Sequence, residues 1–237
     1  KAPPISYNFR GPQGRMVENR AAKILQILKD TLALPELVKP KSDPFETLVI
    51  TIISQNTADH NTAIAFENLS KQLEITPEAL ARAPTSQIAE AIKSAGLSKG
   101  KAEAIKQAAT TVIEKYHGTL KDILSLPVEE ARKAFMQMPG VGPKTADVVL
   151  LFSANKPTIP VDTHVNRVSK RLGLAPAKGD YEAVRKSLQT LYKPEDYLAV
   201  HLLFISHGRK TCKAPKPLCR QCPVYDYCPS NGLGDMP

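Results

Sequence analysis

The sequence predicts an all-α protein, and three observations carry that prediction. Apolar residues recur at helical spacing through most of the chain. Proline, aspartate and glycine fall between these runs at helix-boundary positions, and no stretch alternates as a half-buried strand would. At 237 residues and 42% hydrophobic content, the chain can bury one substantial core or two modest ones. No internal repeat is visible.

Residues 1–14 are rich in proline and glycine and read as an extended arm. From Arg15 onward, Met16, Ala22, Ile24, Leu25, Ile27 and Leu28 keep helical spacing until Pro35. Asp43 is a good N-cap, with Pro44 and Glu46 following at favourable positions. The helix from 45 to about 54 is apolar nearly all round, which predicts a buried core helix. The polar run Ser54-Gln55-Asn56-Thr57-Ala58-Asp59 reads as a capped turn whose side chains face whatever lies above that helix. A helix from about 58 to 73 should turn Ile64, Phe66 and Leu69 inward. Thr76-Pro77-Glu78 and Thr85-Ser86-Gln87 each open a short helix. Gly96-Leu97-Ser98-Lys99-Gly100-Lys101 is a small basic loop, and a long amphipathic helix then runs to His117-Gly118. Segments 120–126 and 128–138 lead into Met138-Pro139-Gly140-Val141-Gly142-Pro143-Lys144.

That stretch predicts helix, tight hairpin, helix. Gly140 and Gly142 permit the turn and leave main-chain N–H groups uncovered, while Pro143 suits the first helical position. N–H groups at a helix start attract phosphate, and Lys144 stands at the mouth of that site. The helix 143–154 is followed by an extended connector with prolines at 157 and 160. Asp162 is placed to cap a helix from 163 to 172, and two more helices fit 180–192 and 194 to about 206.

The net charge of +9 and a pI near 9.3 favour a polyanionic partner, most often nucleic acid. No long run of like charge occurs, so the basicity belongs to folded surfaces. No apolar run reaches the length of a membrane span, and the first residues lack the apolar core of a signal peptide, so an intracellular protein is expected. All four cysteines fall between Cys212 and Cys228, where they suit a metal or cluster site better than disulfides that staple distant segments. Four thiolates can hold zinc or a 4Fe–4S cluster, and spacing alone leaves both open.

Taken together, the hairpin 138–146, Val161-Asp162-Thr163-His164 and the spacing Cys212-x6-Cys219-x2-Cys222-x5-Cys228 resemble the helix-hairpin-helix DNA glycosylases. The best match is the endonuclease III group of the iron–sulfur branch, in register from about residue 45 to 228. The resemblance implies two helical domains flanking an active-site cleft. One is a six-helix domain at 37–155; residues 1–36 pack with 156–237, which carry the cluster loop.

It also implies roles. Lys144 would be the nucleophile, a free amine favoured by partial burial and the positive end of its helix. It would attack C1′ of the sugar, form a Schiff base and allow elimination of the 3′ phosphate. Asp162 would be the catalytic carboxylate. Cys212, Cys219, Cys222 and Cys228 would hold a 4Fe–4S cluster that pins a loop whose Lys213 and Lys216 meet phosphates. Gly140, Val141, Gly142 and Lys99 would contact DNA, with Pro143 standing where the family commonly has a basic residue. Leu97 resembles the intercalating leucine, and Gln55 or Asn56 the amide that fills the gap left by an everted nucleotide. His164 resembles a pocket residue; a packed or hydrogen-bonded histidine is the other reading.

The expected function is removal of oxidised pyrimidines from duplex DNA with β-elimination at the abasic site. The enzyme would act as a monomer in the cytoplasm or nucleoid, or in a nucleus. The rivals are a mismatch glycosylase acting opposite guanine and a non-enzymatic DNA-binding module, which would need neither Lys144 nor Asp162.

Overall fold

The computed structural model describes residues 12–33 and 43–233. Most of the expected arm, residues 1–11, lies outside these, as does Pro35. Among the described residues there are twelve α-helices, four short 3-10 turns and no strand. They divide into two compact units. One contains residues 43–156; the other joins the first helix to residues 157–233.

The first unit is built on α2 (Pro44–Ser54), whose N-cap Asp43 accepts from the N–H groups of Phe45 and Glu46. Its side chains Leu48, Val49, Ile52 and Ile53 are fully enclosed, as an all-round apolar helix requires. Around it lie α3 (Asp59–Gln72), α4 (Pro77–Arg82), α5 (Thr85–Ala91), α6 (Ser98–Tyr116), α7 (Lys121–Ser125), α8 (Val128–Met136) and α9 (Pro143–Ala154). The core they share includes Phe45, Leu69, Leu80, Ile88, Ile105, Val112, Phe135 and Leu150.

In the second unit α1 (Pro12–Thr31) packs against α11 (Tyr181–Leu191) and α12 (Tyr197–Lys210), and α10 (Thr163–Arg171) packs against both of these. Asp162 and Asp180 cap α10 and α11, accepting from the N–H groups of Val165 and Ala183. No helix among the described residues is long and apolar enough to cross a membrane.

Several boundaries differ from expectation. Residues 12–14 belong to α1 rather than to an arm, because proline is at ease in a first turn. Thr76 caps α4, but α5 is preceded by Pro84, which leaves Thr85 inside the helix and without a capping bond. Ile64 is only half-buried, and Thr62 and Ala65 occupy the inward face of α3 with Leu69. Residues 98–101 are not loop; they form the first turn of α6. The last long helix continues past 206 to Lys210.

Candidate functional site

The hairpin between α8 and α9 is fastened from both sides. Met138 and Val141 donate their N–H groups back to Phe135 O and Met138 O, closing the turn. Gly140 sits at φ +77°, and a Cβ there would lie 2.5 Å from the Cβ of Ala104 on α6. Only glycine satisfies both demands. The two helices are locked by a buried pair: Arg132 on α8 donates through Nε (2.7 Å) and Nη2 (3.2 Å) to the fully enclosed carboxylate of Asp147 on α9. Glu129 accepts from Nη1 of the same arginine at 3.0 Å.

Val141 differs from its two glycine neighbours in exposure. Its side chain is 6% exposed and part of the core, and its N–H is used within the turn, while Gly140 and Gly142 on either side are exposed. Pro143 is the first residue of α9 and Lys144 the second, half-buried, with no side chain capping the helix start. Lys144 thus stands at the positive end of a helix, as anticipated.

Beside the hairpin lies a groove of about 640 Å³ lined by Gln55, Asn56, Leu97, Lys99, Lys101 and Gly140, among others. Five residues singled out from sequence, scattered over three segments, therefore share one surface. Two of them have left-handed backbones: Asn56 (φ 53°) and Leu97 (φ 50°). For a leucine this conformation costs about 1–2 kcal/mol, and this leucine is also 72% exposed, which excludes an ordinary core role. Gln55 and Asn56 point to different tasks. The Gln55 amide Nε2 donates to Gly140 O (3.0 Å) and Thr145 Oγ1 (3.3 Å), tying this turn to the hairpin and to the start of α9. Asn56 is exposed.

The groove has a floor that sequence reading did not anticipate. Lys101, only 5% exposed, donates from Nζ to Ile53 O (2.8 Å), Thr57 Oγ1 (2.5 Å) and Ala95 O (3.0 Å). Burial lowers its pKa below the usual lysine range. A lysine in a basic stretch reads as a solvated charge, and nothing in the sequence marks carbonyl partners so far away along the chain.

In the other unit, Asp162 is half-buried and its Oδ1 accepts from the Val165 N–H at 2.7 Å. It lines a depression of about 300 Å³ with Asn166, Lys170, Asp180 and Tyr181. The connector that presents it is held by His201, whose Nδ1 donates to Pro160 O at 2.8 Å, and by the Val161 N–H on Tyr181 Oη at 3.3 Å. His164 is packed and hydrogen-bonded. Arg167 Nη2 donates to its Nδ1 at 3.1 Å, and Gly208 leaves the space in which both side chains lie against α12.

The four cysteines are free, half-buried and line one pocket with His207 and Arg171. Burial, reinforced by the neighbouring thiols, pushes Cys222 up to about 11 and raises Cys228 as well. Among the described residues no group of three His, Cys, Asp or Glu side chains is arranged to hold a metal ion. Arginines fix the loop: Arg171 donates to Lys213 O (2.6 Å) and Ala214 O (2.9 Å), and Arg167 to Cys212 O (3.0 Å). Lys213 and Lys216 remain exposed on it.

Comparison with known proteins follows the same lines. Residues 49–194 match the family described as the HhH-GPD superfamily base excision DNA repair protein. Endonuclease III of Sulfolobus acidocaldarius is 38% identical over 185 residues, spanning 78% of this chain and 81% of the relative. A trapped covalent endonuclease III–DNA intermediate superposes with a TM-score of 0.78 at 30% identity, over 94% of this chain and 98% of that one. A thermostable thymine-DNA glycosylase superposes with a TM-score of 0.74 at 25% identity, over 93% and 99%.

Proposed function

The chain belongs to the HhH-GPD superfamily of base excision DNA repair proteins, and from that premise we infer a bifunctional DNA glycosylase and abasic-site lyase of the endonuclease III kind. One observation carries the reading: similarity over nearly the whole chain to a structure trapped as a covalent protein–DNA intermediate. A covalent intermediate needs a nucleophile, and here a half-buried amine, Lys144, stands at the hairpin where a phosphate would be gripped.

The chemistry assigned to these residues is as follows. The Lys144 amine bonds to C1′ as the glycosidic bond breaks and the base leaves with a proton. Asp162 stabilises the positive charge that develops on the sugar, using the carboxylate oxygen its helix cap does not occupy. Ring opening gives an iminium ion; loss of a C2′ proton then expels the 3′ phosphate and cuts the strand. The active form is assigned as a monomer.

The damaged base is assigned as an oxidised pyrimidine, in duplex DNA inside the cell. Likeness to a thymine-DNA glycosylase supports a second substrate class, a mismatched or modified pyrimidine opposite guanine. A panel of single-lesion duplexes separates the two. A purely DNA-binding module is disfavoured by the presence of both Lys144 and Asp162.

The four cysteines are assigned to a 4Fe–4S cluster. Four thiolates suit zinc and a cluster alike; what supports the cluster is the likeness to endonuclease III, to whose iron–sulfur branch this cysteine spacing is similar. When bound, the cluster supplies a rigid anchor for the loop bearing Lys213 and Lys216. Protein purified without oxygen should show broad visible absorbance and contain iron and sulfide. Colourless protein with stoichiometric zinc would overturn the assignment.

The nucleophile is tested by borohydride. The parent protein should become covalently attached to duplex bearing an abasic site, and Lys144→Gln should lose that attachment while still binding the duplex. Persistent attachment in the variant would place the amine elsewhere.

A further inference from the structure

We propose that Lys101 is a positioning residue, whose buried ammonium joins the two left-handed residues of the groove, Asn56 and Leu97, into one rigid tip that enters duplex DNA. The proposal rests on the functional reading above and adds to it the device that holds the probe in shape.

Lys101 reaches both residues at once. Its main-chain N–H donates to Leu97 O at 3.1 Å, the first hydrogen bond of α6. Its ammonium donates to Ile53 O at the end of α2, to Thr57 Oγ1 immediately after Asn56, and to Ala95 O just ahead of Leu97. Thr57 closes the figure by donating from Oγ1 to Ala95 O at 2.6 Å. An ammonium has three N–H donors, and each has its own acceptor here, which is what makes burial of the charge tolerable.

Two of those acceptors are carbonyls at helix ends, where no helical N–H arrives to meet them. The lysine therefore replaces missing helical partners at the two points from which the left-handed residues project. Such backbone conformations persist only where the surroundings over-determine them. Leu97 is exposed and has no core packing to hold it, so the constraint must come through its main chain and its neighbours. A side chain that parts a base stack profits from being ordered beforehand, because ordering at the moment of insertion subtracts from binding.

The readout is a ratio of two single-turnover strand-cleavage rates on the same abasic oligonucleotide, one as a duplex and the other single-stranded. Both substrates use Lys144 and Asp162, but only the duplex must be parted. Lys101→Met should lower the duplex-to-single-strand ratio at least about tenfold, and Thr57→Val should lower it in the same direction. A ratio unchanged from the parent, whatever the absolute rates, overturns the proposal. Should Lys101→Met fail to fold, the ratio in Thr57→Val decides by itself. A parent protein that cleaves neither substrate overturns the functional reading, and this inference with it.

Discussion

At the scale of single residues, the site depends on positions where one atom more cannot be accommodated. Gly140 faces two independent demands, a positive φ and a 2.5 Å approach to the Ala104 Cβ. Gly140→Ala should therefore cost more than the about 1 kcal/mol expected from the backbone alone. Adding Ala104→Gly should recover the steric part and leave the conformational part. Thermal unfolding of the single and double variants measures this; equal stability of the two would mean that the hairpin yields by moving away from α6. Gly140 was legible in the sequence because glycine between helical runs has a specific backbone meaning. Asp43 and Asp162 were legible for a similar reason, since a cap acts on the next few residues; Asp180, counted from sequence as the start of its helix, is instead the cap. Lys101 was not. Its three acceptors lie at residues 53, 57 and 95, and periodicity carries no information about which lysine in a basic stretch turns inward. Leu97 was singled out by resemblance, while its left-handed backbone could not be foreseen from a residue type that rarely adopts it.

Between elements, the pairing of α8 with α9 turns on the Arg132–Asp147 contact. Asp147 is fully enclosed and Arg132 nearly so. Removing one partner leaves a charge buried without its mate, which costs about 3–5 kcal/mol, whereas replacing both by apolar groups is often neutral. Arg132→Met and Asp147→Leu should each lower stability by that order, and the double variant should fall well short of their sum. Glu129 offers Arg132 an exposed alternative partner, so Asp147→Leu should be the milder single change. Denaturant unfolding of the four proteins in the cycle checks it, and simple additivity would show that the two side chains act independently. The helices themselves were readable from their apolar spacing. The clamp that pairs them was not, because an arginine and an aspartate in neighbouring helices look like two solvated charges until the packing encloses both.

For the whole molecule, the question is how a net charge of +9 divides between gripping DNA and merely keeping the chain soluble. Charges that displace counterions from phosphates leave a signature: each contact contributes about 0.9 to the slope of log affinity against log salt. Charges that only solvate the surface contribute nothing to it. Lys99 rims the groove of one unit, while Lys213 and Lys216 are exposed on the cysteine loop of the other. Neutralising Lys99 to glutamine should reduce the slope by about 0.9, and neutralising both loop lysines by about twice that. If a single duplex meets both units at once, the triple variant should lose the sum, because contacts far apart in the chain and sharing no partner act additively. If the two units bind DNA only in alternation, the combined loss should not exceed the larger of the two. The measurement is equilibrium binding to an abasic duplex across a salt series, with borohydride omitted so that affinity is read before any covalent step. A slope indifferent to all three lysines would assign the basicity to solubility and leave the hairpin main chain as the principal phosphate contact.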